Sequence, residues 1–150
     1  MTGRTATVPA VLRGLFDRFR KRATPLPAKA ALQISYAPTP DGDADPGEVV
    51  WTWVPYEDDP RQGKDRPVLV IGTVGPALAV LPLTSKDRTD HPDCVELGSG
   101  AWDRSGRTSY VKLDRILKVA PSKVRREGAS LDRARFDHVI AQLQAYARRR

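Results

Sequence analysis

Arg66, Thr84, Lys112 and Asp114 are the residues whose types and places in the chain point to chemistry. Each marks the edge of an apolar run or interrupts one. Arg66 opens RPVLVIGTV, Thr84, Ser85 and Lys86 close ALAVLPL, and Lys112 and Asp114 break TSYVKLDRILKV. If these runs are neighbouring strands, a guanidinium, a hydroxyl and a carboxylate converge at one rim. That set suits cleavage of an RNA phosphodiester by its own 2′-hydroxyl, which needs a base, an acid for the departing 5′-oxygen, and fixed positive charge on the phosphorane. Arginine fits the last role because its planar fork stays charged and holds two phosphate oxygens. A threonine hydroxyl can hold a phosphate oxygen, and an aspartate can act as base or orient one. A simpler alternative makes Arg66 and Asp114 a surface ion pair and Thr84 a strand end, and spacing alone favours it.

Other catalytic signatures are missing. The chain has no Gly-rich phosphate loop, no His pair at ligand spacing and no GxSxG elbow. His138 falls beside an apolar helical stripe, and His91 lies in the loop TSKDRTDHPD. Glu57, Asp58 and Asp59 form an acidic cluster that reads as a solvated face. Cys94 is the sole cysteine, so no intrachain disulfide or thiolate metal site can form. Neither a metal nor a cofactor is expected.

The elements that must position these residues follow from hydrophobic period and turn chemistry. VPAVLRGLFDRFRKRA spaces Val8, Val11, Leu12, Leu15, Phe16 and Phe19 as a basic amphipathic helix, giving an N-terminal extension over 1–22. It either packs on protein, the favoured reading, or meets anionic lipid or nucleic acid. Residues 23–46, rich in Ala, Pro, Asp and Gly, read as a linker in which LQISY can add a short strand. From Gly47 the pattern becomes short β-type runs: GEVVWTWV, RPVLVIGTV, ALAVLPL, CVEL and TSYVKLDRILKV. Ser130 is a candidate N-cap for a helix carrying Leu131, Phe136, Val139, Ile140, Leu143 and Ala147. The expectation is a mainly β (α+β) domain over 47–150, a small barrel or bent sheet with a closing helix.

Charge is uneven along the chain. Residues 1–36 carry seven Lys/Arg against one acid, Asp17, while residues 37–150 carry eighteen against seventeen. The basic excess is therefore N-terminal, and any nucleic-acid contact in the body must come from a local cluster. No run is long and apolar enough for a signal peptide or a membrane span, which points to a cytoplasmic protein.

Taken in order, three stretches resemble the PemK/MazF toxins: GEVVWTWVPYEDDPRQGKDRPVLVIG, LPLTSKD and TSYVKLDRILKVAPSKV. The likeness covers about residues 47–145. It implies a small SH3-like barrel that forms a homodimer, a metal-independent endoribonuclease acting on single-stranded RNA, and neutralisation by a small acidic antitoxin. By position, Arg66 matches the family's arginine after the first loop, Thr84 its strand-end Thr/Ser, and Asp114 an acidic position used in some members. Lys112 falls where some members carry a basic catalytic residue. The first loop departs from the pattern: Pro60, Arg61 and Gln62 stand where many relatives carry Glu or His.

Around that site, Arg61, Gln62, Lys64, Ser85, Lys86 and Lys112 are the expected RNA-backbone contacts. Trp51, Trp53, Tyr56 and Trp102 are the candidate stacking surfaces. Trp102, in the loop AWDRSGR, is expected to be exposed, and the strand tryptophans are expected to be core. Two alternatives are an inactive family-derived module that binds RNA or protein, and a gyrase-directed poison. The C-terminal Ala147-Arg148-Arg149-Arg150 counts against the poison, because relatives of that type end in an apolar motif.

Overall fold

The alternation in GEVVWTWV and the uninterrupted apolar run in RPVLVIG set up the centre of the molecule. A computed structural model describes residues 23–26, 31–39 and 43–149. The 1–22 helix expectation lies outside them. Nine strands are described: β1 (Thr24–Pro25), β2 (Leu32–Ile34), β3 (Glu48–Pro55), β4 (Gly63–Val74), β5 (Ala77–Thr84), β6 (Cys94–Gly98), β7 (Ser109–Lys112), β8 (Leu117–Val119) and β9 (Arg125–Ser130). One helix, α1 (Arg133–Arg148), follows them. The fold is thus mainly β, an antiparallel sheet with a C-terminal helix, as the sequence pattern implies.

The strand β4 is the splint. One of its edges pairs with β5, and the other pairs first with β3 and then, beyond a bulge at Ile71, with β2. Only glycine fits at position 72, because a Cβ there would collide with the Gln33 carbonyl of β2. The β4–β5 turn is the two-residue loop Gly75-Pro76, with Gly75 at φ +56° as a tight hairpin requires. Beyond β5 lies β8, then β1, and the Ala23 N–H donates to the Trp53 carbonyl of β3 at 3.4 Å. The segment beginning at Ala23 therefore joins β8 back to β3, and the sheet closes into a small barrel.

This closure explains why RPVLVIG is apolar throughout. Val68 and Val70 point into the barrel with Val50, Val54, Leu78, Val80, Leu117 and Val119. Leu69 and Ile71 point the other way, into a second core with Leu81, Leu83, Val111 and the helix residues Phe136, Val139 and Leu143. Both faces of the central strands are buried, so the usual polar alternation disappears.

Three elements differ from the sequence pattern. First, the stretch read as a linker supplies β1 as well as the short strand in LQISY that the sequence allows, β2, and Tyr36 donates from its hydroxyl to the Leu131 carbonyl at 2.7 Å. Second, TSYVKLDRILKV is two strands and not one. On the edge of β5 away from β4, β8 takes Leu78–Val80 and β7 takes Leu83 and Thr84. Pro82, which has no N–H to offer, lies between the two patches, and residues 113–116 turn the chain across this gap. Third, Asp132 and not Ser130 caps α1, its carboxylate accepting from the Arg135 N–H at 3.0 Å. Ser130 ends β9 because Leu131, fully buried, is still tied to the sheet through its N–H to the Gly47 carbonyl. Among the described residues no helix is long and apolar enough to cross a membrane.

Candidate functional site at the barrel mouth

Alternation along the strands decides which polar residues meet. On β4, Arg66 shares the face of Val68 and Val70, so its side chain leaves the barrel interior at the open end. Continuing the register Val70↔Val80, Val68↔Pro82 brings Arg66 level with Thr84 of β5. Arg66 Nη1 donates to the adjacent Leu83 carbonyl at 3.4 Å. Approaching β8, Arg115 has the parity of Leu117 and Val119, and its Nη2 donates to the Pro55 carbonyl at the end of β3 at 3.0 Å.

The β3–β4 loop brings Tyr56 and Glu57 to the same mouth. The Tyr56 N–H donates to the Gln62 carbonyl at 2.8 Å, which closes the loop. Glu57 Oε2 stands 3.2 Å from Lys112 Nζ and 3.9 Å from Arg115 Nε. Burial pushes the Arg66 guanidinium below its ordinary range; the positive charge of Arg115 adds to this, and Tyr56 and Glu57 oppose it. An arginine does not lose its proton in a protein. The outcome is a partly desolvated cation whose buried Nε has no hydrogen-bond partner. Such a group favours an anion brought to it.

Of the sequence candidates, the mouth gathers Arg66 and Lys112, with Thr84 on the adjoining rim. Asp114 follows Lys112 just beyond β7, and one of its carboxylate oxygens is buried without a hydrogen-bond partner. Its charge, like that of Lys112, acts on Cys94 of β6. Burial pushes the Cys94 thiol up, Asp114 and Asp93 reinforce this, and Lys112 and Arg88 oppose it. Two residues that sequence reasoning missed, Glu57 and Arg115, hold the centre. The parity of Arg115 with Leu117 and Val119 was the available signal; Glu57 was hidden in an acidic run.

The flanking candidates are spread over the surface. Arg61 is exposed and paired with Asp59 at 3.1 Å, and Gln62, Lys64, Ser85 and Lys86 are exposed. The Lys86 N–H donates to the Thr84 hydroxyl at 3.2 Å. Trp102 requires correction: it is 3% exposed, its Nε1 donates to Ser109 Oγ at 3.0 Å, and it belongs to the core under α1. The loop folds back and buries the indole, so Trp102 offers no stacking face. Trp51 and Trp53 are only partly buried, and Tyr56 is 36% exposed beside Arg66. The Asp93 N–H donates to His91 Nδ1 within its own loop, while His138 is exposed on α1. Among the described residues no group of three or more His, Cys, Asp or Glu is placed to hold a metal ion.

A search of curated proteins found no match to this sequence. The sequence model of the PemK-like, MazF-like toxins of type II toxin–antitoxin systems matches residues 45–146, about two thirds of the chain and the whole of the mouth. The match takes in β3 to β9 and nearly all of α1, the frame that carries Arg66, Thr84, Lys112 and Arg115. The chain belongs to the PemK-like, MazF-like family of type II toxins.

Proposed function

We propose that the protein is a metal-independent endoribonuclease that cuts single-stranded RNA through its own 2′-hydroxyl, leaving a cyclic phosphate and a 5′-hydroxyl. The observation that supports this is the partly desolvated, incompletely satisfied Arg66 guanidinium, with Arg115 acting on it and Lys112 joined to Arg115 through Glu57. Fixed cations in a partly dry mouth are suited to the charge that develops on a phosphorane. The Thr84 hydroxyl, level with Arg66, would hold a phosphate oxygen. Two carboxylates flank the cations as acceptors for the 2′-hydroxyl proton: Glu57 on the Arg66 side and Asp114 on the Cys94 side. Tyr56 is the stacking surface next to the scissile link, with Arg61, Gln62, Lys64, Ser85 and Lys86 along the strand's path.

The family places such a toxin opposite an antitoxin. Here the partner we propose is a small acidic protein whose segment orders across the cationic mouth. We also propose that the toxin acts as a homodimer in the cytoplasm. Incubating wild-type and Arg66→Ala protein with long single-stranded RNA in EDTA, and mapping the fragment ends, tests the enzymatic reading. Cyclic phosphate and 5′-hydroxyl ends, lost in the variant, are the expected result. Intact RNA after incubation with folded wild type would contradict it.

A further inference from the structure

Glu57 extends from a surface loop, and its side chain is 51% exposed, yet its carboxylate turns inward. It meets Lys112 and Arg115, whose side chains are only 18% and 14% exposed. The same carboxylate also acts on Arg66. Its neighbour in the acidic run behaves differently: Asp59 pairs with the fully solvated end of Arg61. Lys112 and Arg115 therefore share one carboxylate, whose charge also bears on Arg66. A phosphodiester presents the same unit charge and a similar pair of terminal oxygens to such a set. In the free protein the carboxylate opposes the positive charge that Arg115 sets against the partly buried Arg66 guanidinium.

We propose that Glu57 occupies the seat of the RNA phosphate as an internal counter-ion that substrate displaces, and that Arg115 is a phosphate-binding residue of that seat. The proposal rests on the RNA reading above and adds to it the residue that competes with the substrate. Displacement requires only that the exposed loop carboxylate swing away from Lys112, while Arg115 stays anchored by its bond to the Pro55 carbonyl. A displaced Glu57 remains close to the 2′-hydroxyl, so cleavage rate is the wrong readout and binding the right one.

The test uses a fully 2′-O-methylated single-stranded oligonucleotide, which cannot be cut, titrated against full-length wild type and Glu57→Gln across a range of salt. Glu57→Gln should bind about two- to fivefold tighter, the scale of a solvent-screened ion pair. Its plot of log affinity against log salt should steepen by about 0.7, one more phosphate neutralised. Unchanged or weaker binding by Glu57→Gln overturns the proposal. A parallel titration with inorganic phosphate, followed by NMR, separates this from the RNA reading. If the oligonucleotide binds neither protein but phosphate binds Glu57→Gln better, the RNA reading falls and the seat stands. If phosphate too is indifferent to the substitution, the seat itself is wrong.

Discussion

The two faces of β4 end in opposite conditions. Its outward residues, Leu69 and Ile71, lie under α1, where the polar side chains between the helix and the sheet find partners. Arg135 donates to the Leu97 and Ser99 carbonyls at 3.1 and 2.9 Å, Trp102 to Ser109, and Tyr36 to the Leu131 carbonyl. Its inward residues, Val68 and Val70, lead to Arg66, where a buried Nε is left unmatched and a second guanidinium approaches. One strand thus serves a satisfied core on one side and an unsatisfied cation on the other. Departures from local consistency of this kind are expected where function resides, because a site complementary to a ligand is incomplete without it.

The contrast can be broken on the satisfied face first. Phe136→Ala, at a residue 3% exposed and packed at a tilt against Tyr36, should lower stability by about 3–5 kcal/mol in denaturant melts. Trp102→Phe should cost about 1 kcal/mol, since it strands the buried Ser109 hydroxyl, and should leave RNA affinity unchanged. A loss of RNA affinity without loss of stability would restore Trp102 as a contact. The smallest effect is a pH dependence at the α1 cap. The Arg135 side chain and backbone N–H hold the Asp132 carboxyl below its ordinary range. A depressed native pKa contributes stability that is present above the unfolded value, about 4, and is lost as pH falls through the native one. Asp132→Asn should flatten that acid limb in thermal melts, melting slightly below wild type at neutral pH and converging with it in acid, where the wild-type carboxyl is protonated too.

How much of this was legible in the chain depends on the range of the interaction. GEVVWTWV, RPVLVIG and ALAVLPL announce themselves as strands, because period and burial are local properties. The helix stripe of Phe136, Val139 and Leu143 is equally plain. By contrast, Ala23 enters the sheet only through Trp53, thirty residues away, and nothing in its Pro- and Ala-rich surroundings signals that partner. The split of β7 from β8 depends on how β5 shares its edge, which no periodicity within TSYVKLDRILKV records. The site was half readable for the same reason. Arg66 and Thr84 mark strand ends, whereas the bearing of Arg115 on Arg66 depends on the turn at 113–116. Trp102 is hidden from sequence reading because the polar loop around it folds back and buries the indole in the core.

The central claim is that the unsatisfied face is catalytic and that Arg66 carries it. The most direct measurement is the cleavage rate of long single-stranded RNA in EDTA by wild type and Arg66→Ala, alongside their melting temperatures. The variant should lose about 10²–10³ in rate, the cost of one preorganised charge donor, with stability little changed, since the guanidinium is only partly buried. Equal cleavage by both proteins, or a rate loss that only tracks unfolding, would contradict it.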